Sequence, residues 1–318
     1  MKRLWRFFPA LPALMLSGCT VDLLQPRGPI GDGNSFMMVL EWAVMMCVVV
    51  PVIIATLLIA WKYRASNKKA EYWPNWSFSH KIETFVWGIP IVIILILSVV
   101  SFWSTHFYDP YKPLTHDQLV KEHAENQKPL NIQVVSLDWK WLFIYPDLGI
   151  ATINELDVPT KTELNFHITS DAVMTSFFIP QLGSQIYAMA GMQTELHLLA
   201  REPGIYKGMA AQYTGKGFSD MHFQTIAMPV DQFQSWVENV KNGDSKFASG
   251  EPLNGSTYAK YSAPQVNAPV TYFADAQSDL FQYIVAKYNN GAVKDRATGK
   301  IMHIQPASNS AASDDTGM

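Results

Sequence analysis

Residues 208–223, GMAAQYTGKGFSDMHF, have the outline of a metal-binding loop, with glycines, small residues, aromatics and methionines at short intervals. Such a loop works through its donor atoms, and a copper site that passes single electrons draws on thiolate and imidazole. This stretch has no cysteine, and its one histidine, His222, comes at the end. Ala210 and Phe218 carry no lone pair, the Thr214 hydroxyl is a poor copper donor, and Met221 alone offers a weak thioether. On a strand, His222 faces away from Met221. The other histidines form no better set. His106, His116 and His123, ten and seven residues apart in a polar stretch, read as solvated surface, and so do His167 and His197, each alternating with apolar residues in strand-like runs. The chain has no Gly-x-Ser-x-Gly elbow, no phosphate-binding Gly-Lys-Ser/Thr loop and no His-Glu-x-x-His.

The elements around this loop follow from composition. A chain of 318 residues, 48% hydrophobic and 16% charged, is too apolar for an ordinary pair of soluble domains, and the excess is local. Residues 1–18 have the basic start, short apolar stretch and small-residue ending of an export leader. The ending Leu16-Ser17-Gly18-Cys19 resembles the bacterial lipobox, which implies cleavage before Cys19 and acylation of it. After a short segment, 19–35, the run 36–61 is about 26 residues long with Glu41 as its one charge, and 85–103 has none. At ~1.5 Å per residue each suits ~30 Å of hydrocarbon, and the spans are set at 36–61 and 83–104. Between them, 62–82 carries Lys62, Arg64, Lys68, Lys69 and Lys81 against Glu71. Positive charge marks the cytoplasmic side, so Cys19 and everything beyond 104 lie outside.

Residues 104–318 hold 22 acidic and 15 basic residues, a balance that excludes a nucleic-acid partner. They hold no cysteine, so no disulfide forms there. A connector (105–128) leads to short strand-like runs with turn punctuation over 129–228, an all-β sandwich. Phe233, Trp236, Val237 and Val240 then fall at helical spacing, as do Leu280, Phe281, Ile284, Val285 and Tyr288 before Asn-Asn-Gly. Residues 229–290 therefore read as a helical region, and 291–318 as a polar tail, disordered towards its end.

Two spans followed by an exported sandwich resemble subunit II of the haem-copper respiratory oxidases, whose soluble part is a Greek-key cupredoxin. Copper-bearing members take ligands from a His-Ser-Trp/Phe-x-x-Pro-x-x-Gly segment and a Cys-x-Glu-x-Cys-x-x-x-His-x-x-Met loop. "TSFFIPQLG" keeps Ser176, Pro180 and Gly183 but has Thr175 at the histidine. In the loop Ala210 and Thr214 stand at the cysteines, Gln212 at the glutamate, Phe218 at the histidine, and Met221 is retained. The likeness extends through the spans and "SFFIPQLGSQIYAMAGM", and is to the copper-free, cytochrome bo-type ubiquinol oxidase branch. It implies a respiratory complex that couples quinol oxidation to reduction of oxygen to water and to proton pumping, with the haems and catalytic copper in subunit I. No metal or catalytic residue is expected in this chain. The partners implied are subunit I, the other oxidase subunits, membrane lipid and ubiquinol, and the place is the bacterial inner membrane with the sandwich in the periplasm.

On the same resemblance, Trp139, Trp141 and Tyr145 match the aromatics that receive electrons in the copper-bearing relatives. With no copper to reach, they read as packing. Phe218 reads as filling the volume of an imidazole. Glu83 matches a carboxylate at a cytoplasmic proton entrance, though a solvated helix-start carboxylate reads equally well. Glu41 is a candidate for pairing with subunit I. A stand-alone lipid-anchored binding or assembly module on the same scaffold is the alternative.

Overall fold

The computed structural model describes residues 21–71, 73–243, 251–289, 292–294 and 301–303. Cys19 with its leader, the Asn-Gly end of the Asn-Asn-Gly signal and the final tail lie outside them. Residues 33–109 form one unit, and 21–32 with 110 onward form another.

The first unit holds two helices of membrane-crossing length, α1 (Pro29–Lys62), whose first turn belongs to the second unit, and α2 (His80–Phe107). Helix α1 starts well before residue 36 because Pro29 suits a first helical position, where the missing N–H has no partner to lose. No residue in either apolar window is buried within the chain. The hydroxyls of Thr56, Thr84, Ser98 and Thr105 each donate to the carbonyl four residues back, at 2.7–2.8 Å. Their polar hydrogens are therefore satisfied inside the helix, as an apolar surrounding requires.

The second unit is a two-sheet sandwich. Strands β1 (Leu130–Leu137), β2 (Lys140–Tyr145), β3 (Ile150–Ile153), β4 (Glu155–Pro159) and β5 (Glu163–Ser170) are followed by β6 (Thr175–Phe178), β7 (Ile186–Ala188), β8 (Thr194–Leu199), β9 (Gly204–Ala210) and β10 (His222–Met228). One sheet runs β11-β3-β2-β1-β5-β8, with β11 being Thr271–Phe273, and the other β4-β10-β9-β6-β7. Between them lies an aromatic core in which Phe177 and Phe223 stack at 5.2 Å and Trp141 meets both edge-on. Trp141 and Tyr145 are fully buried, which is the packing role expected of them.

The region 229–290, expected as helical, holds a strand as well as helices. Helices α4 (Val230–Asn242), α5 (Gly255–Ser262) and α6 (Leu280–Lys287) alternate with β11, which pairs antiparallel with β3 as an edge strand of the first sheet. Leu253, Tyr258, Phe273, Leu280, Phe281, Ile284 and Val285 cover Val135, Leu137, Leu142, Ile144, Ala151 and Ile153 on that sheet's outer face. The two central strands are thus buried on both sides, which is why 141–145 of β2 read as an unbroken apolar run and why even Gln133 and Ser136 of β1 are buried. A small β12 (Ala292–Lys294) and β13 (Ile301–His303) pair follows.

Within 105–128, expected as a connector, a short helix α3 (His116–Lys121) is closed by a Thr115/Gln118 capping box. Leu114 N–H donates to Glu163 Oε1 at 3.0 Å, and the buried Glu122 receives two bonds from Arg201 at 2.7 Å. Arg201 also pairs with Asp32, so this stretch is docked on the sandwich.

Candidate functional site: a metal-loop framework without donors

Each expected ligand position has a definite place. Thr175 opens β6, fully buried, and Ala210 closes β9, 5% exposed. Phe177 pairs with Ala210 across the strands, and Ala211 N–H donates to Ser176 C=O at 3.1 Å, so the "TSFF" segment and the loop are joined in register. Thr175 Oγ1 lies 3.4 Å from Gln212 C=O. Ala210 N–H donates to Met221 C=O at 3.1 Å and the Thr214 hydroxyl to Met221 Sδ at 3.6 Å, closing the loop on itself. Met221 is 2% exposed, while His222 faces outward on β10 as the alternation requires.

Two glycines let aromatic rings approach this backbone. A Cβ on Gly208 would sit 2.0 Å from the Phe223 ring, and one on Gly217 would sit 2.4 Å from the Trp139 indole. Trp139, at a left-handed φ of 65°, donates from Nε1 to Thr214 C=O at 2.9 Å, so it braces the loop from outside.

Phe218 does not fill an imidazole's volume in the core. The chain turns outward through a 3-10 turn at Phe218–Asp220, leaving the ring half-buried and edge-on to the exposed Tyr213 at 5.7 Å. The core volume is taken by Phe177 and Phe223. The structure therefore brings Thr175, Ala210, Gln212, Thr214 and Met221 together, and Phe218, whose C=O accepts from Met221 N–H at 3.1 Å, borders them with its ring half-buried. Five residues bearing one thioether and no thiolate or imidazole do not fit a copper pair. Among the described residues no cluster of three His, Cys, Asp or Glu stands in metal-binding array.

The histidines expected on a wet face are partnered instead. His197 Nδ1 lies 2.8 Å from Asn165 Oδ1 and 3.3 Å from Glu163 Oε1, and His167 Nδ1 lies 2.9 Å from Gln193 Nε2. Burial pushes the Glu163 carboxyl up, but the His197 ring and the Leu114 N–H outweigh it and hold its pKa below the ordinary value.

Sequence reasoning missed one node. The Asp171 carboxylate, in the loop before Thr175, has a side chain 2% exposed and accepts from Tyr258 at 2.6 Å, Tyr288 at 2.7 Å and Lys287 at 2.8 Å. Burial and the Asp171 charge push the Tyr258 hydroxyl pKa far up, so it stays a proton donor. No local signal marks this node, because its partners lie 87 or more residues away.

The Cytochrome C oxidase subunit II periplasmic domain family matches residues 101–228, and the COX Aromatic Rich Motif family matches 248–292. Ubiquinol oxidase subunit 2 of Acetobacter aceti is 53% identical over 92% of this chain and 91% of its own. The chain belongs to the ubiquinol oxidase subunit 2 family. Cytochrome bo(3) ubiquinol oxidase subunit 2 of Pseudomonas aeruginosa is 48% identical over 91% of this chain and 83% of its own. The periplasmic domain of cytochrome oxidase subunit II from Bradyrhizobium japonicum is 26% identical, covering 37% of this chain and 96% of that one at a TM-score of 0.35. As a ubiquinol oxidase subunit 2, the chain has the expected fold, with two membrane-length helices, a cupredoxin-like sandwich and a C-terminal helical extension. The aromatic-rich match falls on the segment that covers the first sheet.

Proposed function

We propose that this chain is the second subunit of a proton-pumping ubiquinol oxidase of the bacterial inner membrane, a structural partner of the subunit that carries the haems and copper. The observation that carries the reading is the intact loop framework stripped of donors. A protein that receives electrons from a water-borne carrier needs a metal port at that place. Ubiquinol, dissolved in the bilayer, reaches the catalytic subunit without one.

Purification through a tag on this chain tests it. Co-elution of haem with quinol-dependent oxygen uptake, and no oxidation of reduced cytochrome c, is the expected result. A colourless lone chain would favour the stand-alone module.

Three residues carry finer roles in this reading. Cys19 is the acylation site, checked by the mass of the mature N-terminal peptide. Glu83, in the first turn of α2, holds a proton at the cytoplasmic entrance of a path that continues in subunit I. Glu83→Gln is expected to lower turnover severalfold with assembly unchanged, and Glu83→Asp to restore part of it. Unchanged turnover in Glu83→Gln would leave the residue as a helix-start carboxylate. Glu41 sits one residue outside Trp42, and Trp42 and Trp61 are about 29 Å apart along α1. We infer that Glu41 lies near the outer edge of the hydrocarbon, where it pairs with a polar group of subunit I.

A further inference from the structure

Beyond the charge bias that orients the two spans, the loop joining α1 to α2 has no part in any role described so far. With the last residue of α1 and the first turn of α2 it carries Lys62, Arg64, Lys68, Lys69 and Lys81 against Glu71 and Glu83. All five cations are exposed, and none of them has an ion pair among the described residues. Aromatic side chains are interleaved with them, with Trp73 63% and Trp76 56% exposed and Tyr63 and Phe78 similarly open. The backbone is a succession of turns. Asn67 N–H donates to Arg64 C=O at 2.9 Å, the Asn67 side chain to Lys62 C=O at 2.6 Å, and Trp76 N–H to Trp73 C=O at 3.2 Å. Cations and indoles are thus displayed on corners instead of being folded into a core. At the helix end, the Arg64 guanidinium lies 5.8 Å from the Trp61 ring and Lys62 Nζ 5.4 Å from the Tyr63 ring.

Four open rings do not suit bulk water, and five unpaired like charges do not suit the centre of a protein interface, where lysine is depleted. The level just past a membrane-length helix offers both phosphates for the charges and an amphipathic boundary for the indoles. Four of the five cations are lysines, point charges that satisfy mobile anions without a fixed fork geometry. We propose that the 62–81 loop is a binding surface for anionic phospholipid headgroups. Their phosphates meet Lys62, Arg64, Lys68, Lys69 and Lys81 while Trp73, Trp76 and Phe78 sit at the glycerol level.

The test uses the complete complex in phosphatidylcholine nanodiscs, with trace spin-labelled phosphatidylglycerol or spin-labelled phosphatidylcholine as probe. A severalfold preference for phosphatidylglycerol in the motionally restricted lipid is expected, weakening as salt is raised. The Lys68→Gln/Lys69→Gln variant should at least halve that preference and Lys68→Arg/Lys69→Arg should keep it. Lys62, Arg64 and Lys81 are retained in both, so the charge bias that sets orientation survives. Equal restriction of the two probes by the unaltered complex overturns the proposal. A preference untouched by Lys68→Gln/Lys69→Gln also overturns it, since the loop would then be covered by another subunit. Neither readout depends on quinol turnover.

Discussion

The loop at 208–223 and the segment at 251–289 both close over the sandwich, yet they hold by different means. The loop relies on backbone bonds, one hydroxyl–thioether contact and the brace of Trp139. The C-terminal segment buries whole aromatic and aliphatic side chains on the outer face of a sheet and pins its helices to Asp171. Where a metal would cross-link the loop there is ordinary packing, and a second apolar cluster lies on the other side of β1 and β2. The difference teaches that this domain's stability can be separated from its lost chemistry.

The comparison breaks most sharply if the loop can be given back its chemistry. Thr175→His, Ala210→Cys, Thr214→Cys and Phe218→His together are expected to make the isolated exported domain take up copper and acquire colour. A colourless refolded variant would mean that the loop residues have been matched to the wrong ligand positions. The outward turn at Phe218 makes this demanding, because that ring must swing inward.

On the opposite side, Phe281→Ala removes a fully buried ring and should cost about 3–5 kcal/mol. It would be read as a large drop in the thermal midpoint of the β-rich unit, with the loop residues untouched. Asp171→Ala leaves the buried Tyr258 hydroxyl without its acceptor, a loss of about 2 kcal/mol by denaturant titration. Phe218→Ala, by contrast, trims a half-buried ring and should change stability by no more than about 1 kcal/mol. Were Phe218→Ala to cost as much as Phe281→Ala, the contrast between the two regions would fail.

Legibility in the sequence followed the range of the interactions. Helix faces were legible because their signal is local. Phe233, Trp236, Val237 and Val240 are the buried residues of α4. Strands with clean alternation, such as β5, were legible for the same reason. Strands β3, β4, β7 and β11 were not, being three to five residues long with no period to count. The loss of copper donors could be read from residue types alone. The position of Phe218 could not, because it depends on where the chain turns after Gly217. His167 and His197 were misplaced on an open face because alternation says which side a residue takes, not what covers or contacts that side. The Asp171 node and the Glu122–Arg201–Asp32 cluster join residues far apart in the chain, and neither propensity nor spacing reports such pairs.

The covering of the first sheet by the last-made third of the chain has a kinetic side. A polypeptide threaded outward from its N-terminus delivers β1, β2 and β3 long before Leu280 and Phe281 arrive. During that interval Val135, Leu142 and Ile144 face solvent and β3 presents an unpaired edge, the combination that invites intermolecular strand pairing. The chain is therefore most exposed to aggregation after β3 is made and before β11 arrives, and a nonsense mutation between residues 153 and 271 would leave that exposure permanent.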